Sequence, residues 1–282
     1  MSDTAGPPAF GTPRKGFFTD TSICIGCKAC EVACKEWNHV PDRIGEFTGE
    51  SYDNTLDLGA DNWRHVAFIE QRKEVDDLVT AAEMGGLATY QEGDGMRWLM
   101  ASDVCKHCTS AACLEVCPTG ALFRTEFDTV VVQSDICNGC GYCVTACPFG
   151  VIEKRKEDGR AWKCTLCYDR LKDDQTPACA QACPTHSIQF GDHDELLERA
   201  EARLVRLQDA GHAKAQLYGA DSDDGVGGFG AFFLLLDEPE VYALPPAPKT
   251  TTRDLGSIWA AAGAAAVVLG AGIATAVFGG RD

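Results

Sequence analysis

From Leu255 to Phe278 the chain runs 24 residues without a charge, the one apolar segment of that length in the sequence. As a helix rising about 1.5 Å per residue it is long enough to cross a hydrocarbon core of about 30 Å, and it is predicted to be a single transmembrane helix. Ala266, Gly270 and Ala274 put small residues on one face of it, suited to close packing against another membrane helix. Elsewhere the apolar positions come in shorter patterns. Leu196, Leu197, Ala200, Leu204 and Leu207 recur at helical spacing among charges, which predicts an amphipathic helix packed on the body. Trp63 to Gln71 and Met96 to Ala101 read as strands flanking a polar, acidic stretch, and predict a hairpin. Ala231 to Leu236 predicts a further strand, entered from the glycine-rich Gly225 to Gly230. Those glycines lack the strand-and-helix context of a nucleotide loop, so no phosphate is assigned to them. Pro245, Pro246 and Pro248 predict a stiff linker into the apolar helix.

Three segments share another signature: Cys117-Pro118-Thr119-Gly120-Ala121-Leu122, Cys147-Pro148-Phe149-Gly150-Val151-Ile152 and Cys183-Pro184-Thr185-His186-Ser187-Ile188. Proline stops a short helix, and the small residues and aliphatic that follow turn the chain into a strand. Each segment closes a cysteine group. The groups are Cys24, Cys27, Cys30, Cys34; Cys105, Cys108, Cys113, Cys117; Cys137, Cys140, Cys143, Cys147; and Cys164, Cys167, Cys179, Cys183, an internal repeat with varied spacers.

Composition narrows the reading. With 282 residues, 45% of them hydrophobic, the chain can bury a real core. Its 42 acids against 25 bases leave a net charge of -17, which excludes nucleic acid as the natural partner. Sixteen cysteines in four tight groups indicate metal rather than disulfides. Residues 1–20 hold no apolar run ahead of a small-residue cleavage site, so no secretory signal is expected there and export would use a partner's signal.

Spacing selects the metal. Cys137-x2-Cys140-x2-Cys143-x3-Cys147-Pro148 is the bacterial ferredoxin run, and the first group has the same spacing without the proline. Soft thiolates at two-residue intervals let a short loop wrap one face of a cuboid cluster, while the fourth cysteine, one helical turn on, is aimed at a neighbouring cluster. Four groups of four thiolates therefore predict four [4Fe–4S] clusters. The alternative is zinc: Cys164-x2-Cys167 with Cys179 would pass for half a zinc ribbon, which would make the protein a zinc-stapled membrane scaffold. Three cysteines at consecutive two-residue spacings do not suit a tetrahedral knuckle. Gly26, Gly139 and Gly141 lie inside the loops, where backbone amides can approach sulfur, or serve as ordinary turn glycines. Lys28, Lys106 and Lys163 lie beside ligands, placed to offset cluster charge or simply to be solvated. His107 is assigned no coordination role and falls in the surroundings of a cluster or at the surface.

The stretch Cys24-Ile-Gly-Cys-Lys-Ala-Cys-Glu-Val-Ala-Cys-Lys-Glu-Trp-Asn38, with Cys105-Lys-His-Cys108, Cys137-Asn-Gly-Cys-Gly-Tyr-Cys143 and Trp162-Lys-Cys-Thr-Leu-Cys-Tyr-Asp-Arg170, closely resembles the iron–sulfur (beta) subunit of membrane-bound formate dehydrogenases. The cysteine groups alone are shared with electron-transfer subunits of hydrogenases and of sulfur-compound or dimethyl sulfoxide reductases. The Glu-Trp-Asn continuation and the terminal helix point to formate dehydrogenase. The resemblance implies that the groups exchange cysteines: Cys24, Cys27, Cys30 and Cys183 on one cluster; Cys34, Cys164, Cys167 and Cys179 on the next; Cys105, Cys108, Cys113 and Cys147 on a third; Cys117, Cys137, Cys140 and Cys143 on a fourth. It also implies a wire in that order, from a catalytic molybdopterin alpha subunit to a membrane cytochrome b gamma subunit serving quinone. The globular part would be extracytoplasmic, and no catalytic residue is expected in this chain. The expected fold is α+β, two ferredoxin-like modules with an inserted hairpin and one transmembrane helix. In sequence terms that is an N-terminal extension over 1–20, a four-cluster domain over 21–192 with an insertion over 35–104, a helix-and-strand extension over 193–244, a linker over 245–254, and the membrane helix over 255–278.

Overall fold

The structure, a computed structural model, describes residues 13–42, 49, 52–72 and 96–278. Its central sheet has four strands, in the spatial order Ile188–Asp192, Lys15–Asp20, Ala231–Leu235 and Gln216–Tyr218. Strand β1 (Lys15–Asp20) lies inside it, although it falls in the segment read from sequence as an N-terminal extension. It runs antiparallel to β8 (Ile188–Asp192) and parallel to β10 (Ala231–Leu235), which pairs in turn with β9 (Gln216–Tyr218). Side chains alternate across such a sheet, and the alternation divides its two faces. Phe18 and Phe232 stack at 5.5 Å on one face. There His193, at the start of the long helix His193–Asp209, meets the Phe232 ring edge-on. That helix buries Leu196, Ala200 and Leu207, as its periodicity predicts. Phe17 and Phe233 point the other way, toward the cysteine loops, and each meets a cation: Arg64 lies 5.0 Å from the Phe17 ring and Lys106 Nζ 4.6 Å from that of Phe233.

The cysteine loops carry short elements. After the first group comes α1 (Ala29–Asn38), followed by the long hairpin of β2 (Arg64–Arg72) and β3 (Met96–Val104). The hairpin runs further than its apolar pattern suggests, from Arg64 opposite Val104 to Arg72 opposite Met96, so β3 delivers the chain directly to Cys105. The acidic stretch between the two strands lies outside the described residues. Then follow α2 (Ala112–Glu115), β4 (Leu122–Arg124), β5 (Val130–Val132), α3 (Tyr142–Ala146), β6 (Glu153–Lys154), β7 (Ala161–Trp162), α4 (Tyr168–Lys172) and α5 (Ala178–Gln181). The helix His193–Asp209 is α6. Each Cys-Pro ending leads into a strand, as expected: β4 and β6 pair with β5 and β7, and β8 joins the central sheet.

The proline segment is not a free spacer. Tyr218 donates its hydroxyl to the Pro245 carbonyl at 2.6 Å, Thr250 N–H bonds the Gly225 carbonyl, and the Thr250 hydroxyl donates to the Ser110 carbonyl at 3.1 Å. A Cβ on Gly225 would lie 2.2 Å from the Pro248 carbonyl oxygen, so the glycine-rich segment is small because the linker lies against it. The chain then enters α7 (Leu255–Phe278), a helix long and apolar enough to cross a membrane, whose side chains are exposed from Leu255 through Val277.

Candidate functional site

The first loop is held from both ends. The Asp20 carboxylate accepts from the Ser22 N–H and hydroxyl, fixing the turn before Cys24, and α1 puts Cys30 and Cys34 one turn apart. Between Cys24 and Cys30, Gly26 and Lys28 adopt left-handed backbone, and Gly139 and Gly141 do so at the matching places of the third group. Alternating handedness points successive N–H groups to one side, an anion-binding concavity suited to sulfide. A Cβ on Gly139 would stand 2.4 Å from the Gly159 carbonyl oxygen, so this glycine is required by space as well as by φ. Left-handed His107, Leu166 and Cys167 bend the other two loops.

Tertiary packing brings the sixteen thiols into four neighbourhoods. Burial pushes the Cys24 thiol up, and Cys30, Cys183 and Cys27 beside it add to the rise. Burial raises Cys34 strongly, with Cys164, Cys179 and Cys167 next to it. It raises Cys108 likewise, among Cys105, Cys113 and Cys147. Cys143 is pushed up to about 11 by burial and by Cys117, Cys137 and Cys140. Interactions that cross from one neighbourhood to another join Cys30 to Cys179, Cys164 to Cys105, and Cys113 to Cys143. Cys34, Cys164, Cys167 and Cys179 are all buried, whereas the first and last neighbourhoods each contain one exposed thiol, Cys27 and Cys140.

These thiols fit an iron–sulfur cofactor. Cys105, Cys108, Cys113 and Cys147 line one cavity, with Val130 and Val151 among its apolar walls. Donors surround the sulfurs: Leu166 N–H reaches Cys164 Sγ at 3.3 Å, Ala161 N–H reaches Cys137 Sγ at 3.5 Å, and the Ser102 hydroxyl lies 3.2 Å from Cys30 Sγ. Such bonds stabilise electron-rich sulfur and raise reduction potential. Cys117 shows the effect in its own acidity, since its slight burial is outweighed by bonds from the Leu122 N–H and from Thr119, which lower it.

The Glu36-Trp37-Asn38 continuation gains a physical role. The Asn38 amide donates to Cys34 Sγ at 3.7 Å and to Cys167 Sγ at 3.8 Å, tying the first group to the fourth. Trp37 adds an indole N–H bond to Asp169 and stacks under Arg170, whose guanidinium carbon lies 4.1 Å from the ring centroid. Glu31, buried in α1, accepts from Val66 N–H and the Thr55 hydroxyl and pairs with Lys28, so the inserted hairpin is bolted to the first loop.

The lysines separate into two kinds. Lys28 is partly exposed and pairs with Glu31 and Asp53. Lys106 and Lys163 are buried: Lys106 pairs with Asp103, and Lys163 donates to the carbonyls of Val130 and Cys164. Burial alone would lower Lys163, but Cys105, Cys113 and Cys164 hold it above its ordinary value. His107 is buried rather than at the surface, its Nδ1 accepting from Val130 N–H. Sequence reasoning missed Arg64, which sits fully buried beside Cys179, Cys30, Cys164 and Cys34. The one available signal was a charge just ahead of the apolar run 66–69.

Two family profiles, each described as a 4Fe-4S dicluster domain, match residues 23–121 and 96–193. Two dicluster domains on sixteen cysteines account for four [4Fe–4S] clusters. The nitrate-inducible formate dehydrogenase iron–sulfur subunit of Escherichia coli (strain K12) is 41% identical over 244 residues, 85% of this chain and 74% of that one. The formate dehydrogenase iron–sulfur subunit of Haemophilus influenzae is 40% identical over 234 residues, covering 82% and 68%. The B subunit of the anaerobic dimethyl sulfoxide reductase of Escherichia coli is 32% identical over 188 residues, covering 67% and 78%. This protein belongs to the family of formate dehydrogenase iron–sulfur subunits.

Proposed function

We propose that this protein carries electrons within a membrane-bound formate dehydrogenase, between a catalytic molybdopterin subunit and a membrane cytochrome b subunit. The observation that carries the proposal is the serial electrostatic coupling of the thiol neighbourhoods, from Cys30 to Cys179, Cys164 to Cys105 and Cys113 to Cys143, with an exposed thiol only in the first and last. When bound, four [4Fe–4S] clusters would supply one-electron carriers at successive positions. The ligand sets would be Cys24, Cys27, Cys30, Cys183; Cys34, Cys164, Cys167, Cys179; Cys105, Cys108, Cys113, Cys147; and Cys117, Cys137, Cys140, Cys143. The protein's own residues hold the sulfurs rigid, keep water from the middle sets, and aim N–H donors and buried cations at them. Formate is favoured as the donor because the likeness to formate dehydrogenase subunits covers 85% of the sequence, against 67% for the dimethyl sulfoxide reductase subunit.

The linker supports the direction of the relay. Thr252 bonds Glu115, which lies between Cys113 and Cys117, and α7 begins three residues later. That contact supports a last set on the side from which the apolar helix leaves, where α7 would anchor it at the membrane beside the quinone-serving partner. The test is Cys140→Ala in the complex, with iron at the other three sets verified first. Formate oxidation with a soluble dye that accepts electrons upstream should persist while quinone reduction falls steeply. Undiminished quinone reduction would mean that electrons leave by another route.

A further inference from the structure

Arg64 heads β2, and its guanidinium is buried where no carboxylate is bonded to it among the described residues. It is 2% exposed. Nη1 donates to the Ser102 hydroxyl at 3.0 Å and to the Ser102 carbonyl at 3.3 Å, and the guanidinium also reaches the Cys179 thiol, while neither Nε nor Nη2 has a nitrogen or oxygen partner. Phe17 closes one side with its ring face. A buried guanidinium is strongly unfavourable without a counter-charge. The sulfurs that act on it electrostatically belong to two different sets, Cys30 to the first and Cys34, Cys164 and Cys179 to the second, and they would be anionic as cluster thiolates. Ser102 extends the contact, because a hydroxyl that accepts from Arg64 keeps its own proton free for Cys30 Sγ, 3.2 Å away.

We propose that Arg64 is a shared potential-setting residue for the first two cofactor sites, its positive charge between Cys30 and Cys179 favouring the negative charge that each site gains on one-electron reduction. The proposal rests on the ligand sets assigned above. One residue can serve both sites because the guanidinium is wide, flat and always charged, with donors on several edges. Its influence is local: the third and fourth sets have their own surroundings, Lys163 among them, and should not respond to Arg64.

The test uses the whole complex with Arg64 unchanged, Arg64→Gln or Arg64→Lys, counting iron and following the cluster signals by electron paramagnetic resonance through a redox titration. Fewer than four [4Fe–4S] signals in the unchanged complex would overturn the ligand sets and this proposal with them; with four present, the variants test Arg64 alone. Arg64→Gln should lower the midpoints of two signals, those that Cys30→Ser and Cys179→Ser abolish, by at least tenfold in the reduction equilibrium, about 59 mV for one electron. The other two should move far less, and Arg64→Lys should retain most of the original values. Unmoved midpoints at full iron, an equal displacement of all four, or Arg64→Lys displaced as far as Arg64→Gln would each overturn the proposal. If Arg64→Gln loses iron, Arg64→Lys decides: full iron with midpoints inside the tenfold window supports the role of charge, and loss of iron there too assigns Arg64 to shape alone.

Discussion

The apolar helix offers a quantitative test, because nothing in the body shields it. Val267, near its centre, is 72% exposed, and Val268 and Leu269 are almost equally so. Leu255, Ile258, Val267, Val268, Leu269, Ile273, Val277 and Phe278 are the strongly apolar residues of the segment. At roughly -0.3 to -0.6 kcal/mol apiece for membrane insertion, they supply about -2.5 to -5 kcal/mol together. Arginine at the helix centre costs about 2.5 to 3.5 kcal/mol, so Val267→Arg, which also removes one favourable residue, moves the balance by about 3 to 4 kcal/mol and cancels most of the drive. Expressed without partner subunits, the Val267→Arg variant should shift from salt-washed membranes to the soluble fraction, whereas Val267→Leu should stay. Truncation near Pro248 should release the cluster-bearing body with its visible absorption intact. A Val267→Arg variant and a truncated protein that both remain in the membrane fraction would show that the body, not the helix, holds the protein there.

Three further outcomes follow from the cysteine loops. Cys34→Ala should remove the spectroscopic signal of the set with Cys164, Cys167 and Cys179 and leave that of Cys24, Cys27 and Cys30 largely intact, since Cys34 stands among the former; the opposite pattern would contradict the exchange of last cysteines. Gly139→Ala should lose iron selectively from the last set, because a Cβ there combines left-handed backbone with a 2.4 Å approach to the Gly159 carbonyl oxygen; iron analysis showing full content would refute the steric argument. Glu31→Ala leaves the buried Val66 N–H without its acceptor and should destabilise the cluster-loaded protein by about 3 kcal/mol, read as a lower thermal midpoint. An unchanged midpoint would mean that the hairpin is held to the first loop by other contacts.

Local chemistry and periodicity are written in consecutive residues, and they determined a good deal by themselves. The sixteen thiolates, the strand after each Cys-Pro ending, the amphipathic face of His193–Asp209 and the span of Leu255–Phe278 all follow from spacing over a few residues, because helical and strand periods and cluster-wrapping loops are short-range geometry. The insertion hairpin was visible for the same reason. What only the tertiary structure decided depends on residues far apart in the sequence. Nothing near Lys15–Asp20 announces that it pairs with Ala231–Leu235, or that the Thr21 hydroxyl will bond the Leu234 carbonyl, 213 positions away. Lys28, Lys106 and Lys163 look alike beside their cysteines, yet only the last two are buried, because exposure is set by which distant elements pack over them. The proline segment has the composition of a free spacer but is fastened by Tyr218, Gly225 and Ser110. Arg64 is the extreme case: its strand neighbours mark it as an exposed charge at a strand end, and it is buried where folding gathers Cys30, Cys34, Cys164 and Cys179 around it, whose sulfurs would supply, as cluster thiolates, a counter-charge that no local segment contains.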